Sequence, residues 1–200
     1  MIRQTLVVMV KEPRAGRVKT RLGRDIGMTT AAWWFRHQVK RLLRRIQDPR
    51  WDVVLAVSPD RDGITSSVWP AHFRRMPQGQ GDLGDRMAKA LRYNAPGPVC
   101  VIGADIPDVG RQNIAKAFEQ LGSHDAVFGP APDGGYWLVG LKHTNPLPGH
   151  IFQDVRWSTQ HALMDTKASL KGLRIAHCDT LRDVDTVHDL PMTPRQGRDS

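Results

Sequence analysis

The chain has two cysteines, no apolar stretch long enough to span a bilayer and a shortage of acid, and each scarcity removes a class of protein. Cys100 and Cys178 show neither C-x-x-C nor zinc spacing, so a disulfide framework and a structural zinc site are both excluded. They are expected to pack as small apolar side chains, in a reducing compartment. No run approaches the roughly 18 apolar residues of a membrane span, and the N-terminus lacks a signal-peptide core, so a soluble cytoplasmic protein is expected. The 20 Asp+Glu against 29 Lys+Arg leave a formal charge of +9. Such an excess favours an anionic partner: a nucleotide, a phosphorylated metabolite, nucleic acid or acidic lipid. Missing motifs narrow the field further. There is no G-x-S-x-G for acyl hydrolysis, and the eight histidines form no H-E-x-x-H or similar metal spacing.

The 200 residues, 40% of them hydrophobic, suffice for one sizeable core, read as a single unit over residues 1–190. The polar, Pro-containing stretch 191–200 reads as a frayed tail. Short apolar runs bounded by Gly, Pro or Asp predict buried strands at Thr5 to Val10, Val53 to Val57, Val99 to Gly103, Ala126 to Gly129, Tyr136 to Leu141 and Leu173 to Cys178. Helices are predicted between them. Met28 to Ile46 places Trp34, Phe35, Val39, Leu42, Leu43 and Ile46 on one side and Arg36, Lys40 and Arg44 on another. Leu83 to Tyr93, Gln112 to Leu121 and Thr159 to Leu170 also read as helical. Alternating strands and helices predict an α/β fold, a mostly parallel sheet with helices on both faces and ligands outside the carboxyl ends of its strands.

The first strand feeds a loop in which Lys11, Arg14, Arg17, Lys19 and Arg21 fall within eleven positions. Lys11, Gly16, Lys19, Thr20 and Arg21 are therefore candidate nucleotide-phosphate residues, because backbone N–H groups and cations converge at such an edge. A solvated basic loop is the plainer alternative. A P-loop is excluded, since G-x-x-x-x-G-K-[ST] would need Gly at the positions of Pro13 and Val18. Gln78-Gly79-Gln80-Gly81-Asp82-Leu83-Gly84 contains G-x-G-x-x-G, but the segment before it, His72 to Pro77, is basic and ends in Pro where a Rossmann unit needs a buried strand. Its glycines instead let backbone approach a planar ligand, with Gln78 and Asp82 offering hydrogen-bond groups at a helix start. Asp105 ends the apolar strand Val99 to Gly103 and faces the cationic loop, where Mg2+ would use one or two carboxylates plus phosphate oxygens. Asp185 is the second candidate, with helix capping as its alternative. Asp133-Gly134-Gly135-Tyr136 reads as a hairpin turn whose backbone N–H and aromatic ring offer contacts to an acceptor.

Taken in order, Lys11-x-Pro13-x-x-Gly16-x-Val18-Lys19-Thr20-Arg21-Leu22, Gln78-Gly79-x-Gly81-Asp82-Leu83-Gly84-x-Arg86-Met87, Gly103-x-Asp105-x-Pro107, Gly129-Pro130-Ala131-x-Asp133-Gly134-Gly135-Tyr136 and Asp185-Thr186-x-x-Asp189-Leu190 resemble the nucleotide-diphospho-sugar transferase superfamily. Within it the chain is similar to a bacterial glycosyltransferase-like family, the radical-SAM/selenodomain-associated transferases. The resemblance covers about residues 5–190. It implies a glycosyltransferase A-type, Rossmann-like three-layer sandwich, a Mg2+ or Mn2+ ion held by Asp105 and Asp185, and a nucleobase pocket at Gln78, Gly81, Asp82 and Leu83. The implied substrates are a nucleotide or nucleotide sugar and a small-molecule acceptor, the latter near Asp133, Gly134, Gly135 and Tyr136. Two reactions remain open. Nucleotidyl transfer from a nucleoside triphosphate to a phosphorylated or phosphonylated small molecule leads, with Lys19, Arg21 and Asp105 as its catalytic residues; glycosyl transfer from a nucleotide-diphospho-sugar is the alternative. One departure stands out: Ala104-Asp105-Ile106 occupies the place of the D-x-D pair common in metal-dependent glycosyltransferases. A third reading, a basic nucleic-acid binding module, accounts for Arg36, Lys40 and Arg44 but not for Asp105 or the Asp133-Gly134-Gly135 turn, and nucleic acid is not the expected partner.

Overall fold

A computed structural model describes residues 3–93, 97–142, 146–186 and 189. The suggested tail 191–200 and Leu190 lie outside the described residues. The elements run β1 (Gln4–Lys11), α1 (Thr20–Ile26), α2 (Met28–Arg45), β2 (Trp51–Ser58), α3 (Asp60–Thr65), β3 (Arg74–Pro77), α4 (Leu83–Leu91), β4 (Val99–Gly103), α5 (Arg111–Ser123), β5 (Ala126–Pro130), β6 (Tyr136–Leu141), α6 (Ala162–Ala168) and β7 (Ile175–His177). The seven strands form one sheet in the order β3-β2-β1-β4-β6-β5-β7. Only β6 runs against its neighbours, pairing antiparallel with both β4 and β5.

Alternation along the strands builds two apolar layers, because successive side chains leave opposite faces of a sheet. Leu6, Val8 and Val10 of β1 join Phe35, Val39, Leu42 and Leu43 of α2 and Ile114, Phe118 and Leu121 of α5. Val7 points the other way, to a layer holding Val54, Val101, Phe128 and Val139 with Met87 and Leu91 of α4 and the segment around Ile151, Phe152 and Leu170. Each fully buried side chain of this kind contributes roughly 1.5–3 kcal/mol relative to exposure. Helix α2 buries the predicted apolar side, while Trp33, Arg36, His37, Arg41 and Arg44 face solvent. No described helix is long and apolar enough to cross a membrane.

Besides α3, a six-residue helix that the sequence did not mark, three elements depart from expectation. The basic segment before the Gly-rich turn is a strand after all, β3, but a four-residue one at the sheet's edge that pairs only with β2, where Pro77 interrupts no second ladder. The cationic loop is shorter than expected because Thr20 already starts α1, whose Leu22 is fully buried. Helix α6 covers only the middle of the predicted Thr159 to Leu170 segment.

β1 connects outward through β2 to β3, and the chain then returns to lay β4 on the other side of β1. The carboxyl ends of β1 and β4 therefore flank a topological switch point, the crevice in which open α/β sheets place ligands. The antiparallel β6 begins at this same edge, so its preceding turn also reaches the crevice; Leu138 already pairs with Ile102.

Candidate active site

A cleft of about 800 Å³ opens at this edge. Its walls come from the loop after β1, the Gly-rich turn before α4, the loop after β4, the β5–β6 turn, the 157–162 segment and the chain beyond β7. Of the five loop cations, Lys11, Arg17, Lys19 and Arg21 line it. Arg14 turns away to pair with Glu12 at 2.8 Å and Asp62 at 3.1 Å.

Lys19 is the centre of the charge arrangement. Its Nζ donates to Asp105 Oδ2 at 2.8 Å and to Asp185 Oδ1 at 3.0 Å, and its side chain is 6% exposed. Arg21 Nη1 donates to the other Asp185 oxygen at 3.1 Å. Asp183 completes the group: one carboxylate oxygen each from Asp105, Asp183 and Asp185 lie within 4.8 Å of one another, the one such acidic cluster among the described residues. Burial, and then the negative charges of Asp185 and Asp105, raise the Asp183 carboxyl above its usual range. For Lys19, burial works against the charged form, but Asp105 and Asp185 outweigh it and its pKa is raised.

Backbone bonds carry the distant carboxylates here. After β7 the chain follows the end of β5, with Cys178 N–H donating to Phe128 O and Leu181 N–H to Pro130 O, and then Val184 N–H donates to Asp105 O at 3.2 Å. Asp189 accepts from the N–H groups of Asp185 and Thr186, so the turn is held by Asp189 and the Asp185 carboxylate faces the two cations.

The other expected residues divide. Thr20, Gln78, Gly81, Asp82, Leu83, Asp133, Gly135 and Tyr136 line the cleft; Gly16 and Gly134 do not. Gly16 turns the loop at φ 73, and Gly134, at φ 84, packs so tightly on the Gln160 carbonyl that a Cβ has no room. The Gln78 side-chain amide donates to Val10 O and Ala56 O, tying β1 and β2 together where they reach the cleft. Asp82 caps α4: its Oδ1 accepts from Asp85 N–H at 2.9 Å, while Asp85 accepts from Asp82 N–H. The Gly135 N–H expected to meet an acceptor donates instead to Asp133 Oδ1 at 2.9 Å, a local turn bond. Tyr136 stands edge-on to Phe128, and its buried hydroxyl lies 3.3 Å from Thr166 Oγ1. Burial raises its pKa.

Sequence reasoning passed over Arg17, Asp183 and the wall formed by Met87, Trp157, Ser158 and Thr159. A signal existed for one of them, since Asp183-Val184-Asp185 is itself a D-x-D pair, placed after the last strand instead of after β4. Nothing in local sequence marks Trp157 as a cleft residue.

The profile of a family described as an uncharacterized protein conserved in bacteria, DUF2064, matches residues 42–159. No curated protein compared with the chain matches it. Among solved structures, a Desulfovibrio desulfuricans G20 protein named as a candidate nucleotide-diphospho-sugar transferase is 29% identical, with a TM-score of 0.79 over 93% of this chain and 84% of that one. The 4-diphosphocytidyl-2C-methyl-D-erythritol synthase of Anaerococcus prevotii DSM 20548 superposes with a TM-score of 0.60 at 9% identity, over 94% and 92% of the two chains. The Mycobacterium tuberculosis H37Rv protein Rv0371C, solved in complex with manganese, does so with a TM-score of 0.54 at 12% identity, over 94% and 95%. These last two share the fold with this chain.

Proposed function

The chain belongs to the DUF2064 family of bacterial proteins, and from that premise we propose that it is a divalent-metal-dependent transferase of nucleotide-linked substrates that works by nucleotidyl transfer. One observation carries the reading: a cationic loop and three carboxylates from distant parts of the chain converge across the β1/β4 crevice. The name of one similar structure, a candidate nucleotide-diphospho-sugar transferase, supports a transferase of nucleotide-linked substrates, and that of another, a diphosphocytidyl-methylerythritol synthase, supports nucleotidyl transfer.

The donor set suits Mg2+ or Mn2+. Asp105, Asp183 and Asp185 offer hard anionic oxygens close enough to share one small cation, and the Lys19 ammonium already lies on two of them, so the notch attracts positive charge. Such an ion would supply charge neutralisation at the phosphate oxygens. Lys11, Arg17 and Arg21 line the adjoining wall and take the remaining phosphate charge, with the Thr20 hydroxyl as a neutral donor. Positive charge fixed where a leaving pyrophosphate develops its own is the largest lever open to an enzyme that works by positioning. The base lies against the Gly81–Leu83 turn, where Leu83 presents an exposed apolar face and Gln78 also lines the cleft. The acceptor enters by Asp133, Tyr136 and Thr159, which line the same cleft.

Glycosyl transfer is the second reading, favoured by the name of the 29% identical structure. Phosphorus NMR separates the two. With a nucleoside triphosphate and a phosphorylated or phosphonylated acceptor, nucleotidyl transfer releases pyrophosphate. Release of nucleoside diphosphate from a nucleotide sugar, without pyrophosphate from any triphosphate, would replace it with the second reading.

A further inference from the structure

The Lys19 ammonium occupies the oxygens that a divalent cation needs. Asp105 Oδ2 and Asp185 Oδ1 both accept from Nζ, and both carboxylates belong to the acidic cluster. A Mg2+ ion binds carboxylate oxygen at about 2.0–2.1 Å, so cation and ammonium would lie within a few ångströms of each other on shared ligands. Two cations so close repel strongly at a partly desolvated site. The carboxylates are 36% and 41% exposed, whereas the Lys19 side chain is 6% exposed and lies beneath them.

Movement of the backbone offers no escape. Val18 and Leu22, on either side, are buried at 5% and 0%, and Lys19 itself is fixed as the N-cap just before α1, at φ 46. The side chain, however, swings on four rotatable carbons. It shares Asp185 with Arg21, at 3.0 and 3.1 Å, and lines the same cleft as Lys11 and Arg17, so phosphate oxygens drawn to Arg21 would fall within the reach of its ammonium.

From this geometry we infer that Lys19 is a built-in counter-ion of the carboxylate notch, which nucleotide phosphates draw off Asp105 and Asp185 so that a divalent cation can take its place. The inference rests on the metal-nucleotide reading above and adds the coupling. Nucleotide raises the affinity for metal, and metal raises the affinity for nucleotide by the same factor. The substrate class that operates the exchange is one with adjacent phosphates, since a single ammonium must leave two carboxylates for an equally dense anion.

The test titrates Mn2+, followed by electron paramagnetic resonance, into wild type, Lys19→Met and Lys19→Arg. Each is measured alone and with each of the four common nucleoside triphosphates, after subtracting the binary Mn2+–nucleotide complex. Without nucleotide, Lys19→Met is expected to bind Mn2+ at least tenfold more tightly than wild type. Lys19→Arg, which keeps the charge, should stay as weak as wild type. Addition of the accepted triphosphate should raise Mn2+ affinity in wild type and much less in Lys19→Met. Equal or weaker Mn2+ binding by Lys19→Met, alongside tight nucleotide-dependent binding by wild type, overturns the counter-ion role and leaves the metal site standing. Failure of wild type to bind Mn2+ with any triphosphate overturns both.

Discussion

Lys19 holds a backbone conformation that costs a non-glycine residue of order 1–2 kcal/mol, and it does so at the point where the cationic loop becomes a helix. Strain of this kind persists where surrounding packing over-determines it, as buried Val18 and Leu22 do here. Its identity as a phosphate candidate was legible from the Lys-Thr-Arg run; its bonds to residues 86 and 166 positions away were not. Cys178 makes the opposite case, a residue whose quiet role was readable and whose chemistry follows from its surroundings. Burial, then the Asp179 charge, pushes its thiol up to about 11, and fully buried Cys100 is raised as well. At pH 8 roughly one Cys178 thiol in a thousand is then ionised, against about a quarter for an ordinary cysteine. Iodoacetamide should therefore label the native protein slowly at pH 8, about tenfold faster for each unit of pH toward 11, and quickly once it is unfolded. Rapid native labelling at pH 8 would contradict this environment.

Helix α2 shows how an element can be strongly charged and still stand outside the chemistry. It carries no acidic residue, and of its side chains only Phe35 reaches the cleft wall. Arg36, Lys40 and Arg44 follow one another at four-residue spacing, and like charges so placed on a helix destabilise it by about 0.2–0.5 kcal/mol per pair. The double substitution Arg36→Gln/Lys40→Gln removes both repulsive pairs and keeps Arg44 and Arg45 at the favourable C-terminal end. It is expected to melt no lower than wild type and to leave nucleotide affinity within twofold, read by thermal shift and calorimetry. A steeply salt-dependent DNA affinity lost in this variant would instead favour the nucleic-acid reading. The helices with a long apolar stripe and the strands with apolar runs were visible in sequence. α1, α3 and β3 were not: six or seven residues make less than two helical turns, and β3 is a four-residue edge strand in which one residue alone, Met76, is buried.

In the whole molecule, ligand and metal should act together on stability. At 100 times its dissociation constant a nucleotide adds about 2.7 kcal/mol, which for a chain of this size raises Tm by about 5–10 °C. That shift is expected with Mg2+ present and lost in Asp105→Asn, whose own Tm without ligand stays close to wild type because Asp185 still pairs with Lys19. An Asp105→Asn protein that keeps the full Mg2+-dependent shift would remove Asp105 from the metal site. The amino-acid sequence alone was enough for the α/β architecture, the two buried faces of the sheet, and a cationic loop at the sheet edge beyond β1, because periodicity and turn residues act over a few neighbouring positions. The Asp133-Gly134-Gly135 turn already implied that β6 runs back along β5, but the sequence was silent on the insertion of β6 between β5 and β4 and on the closeness of Asp183 to Asp105. The first depends on the ladder β6 makes with β4, the second on where the chain returns after β7, held by backbone bonds to Phe128, Pro130 and Asp105. Contacts across so many residues follow from the packing of the entire sheet, and no local pattern encodes them.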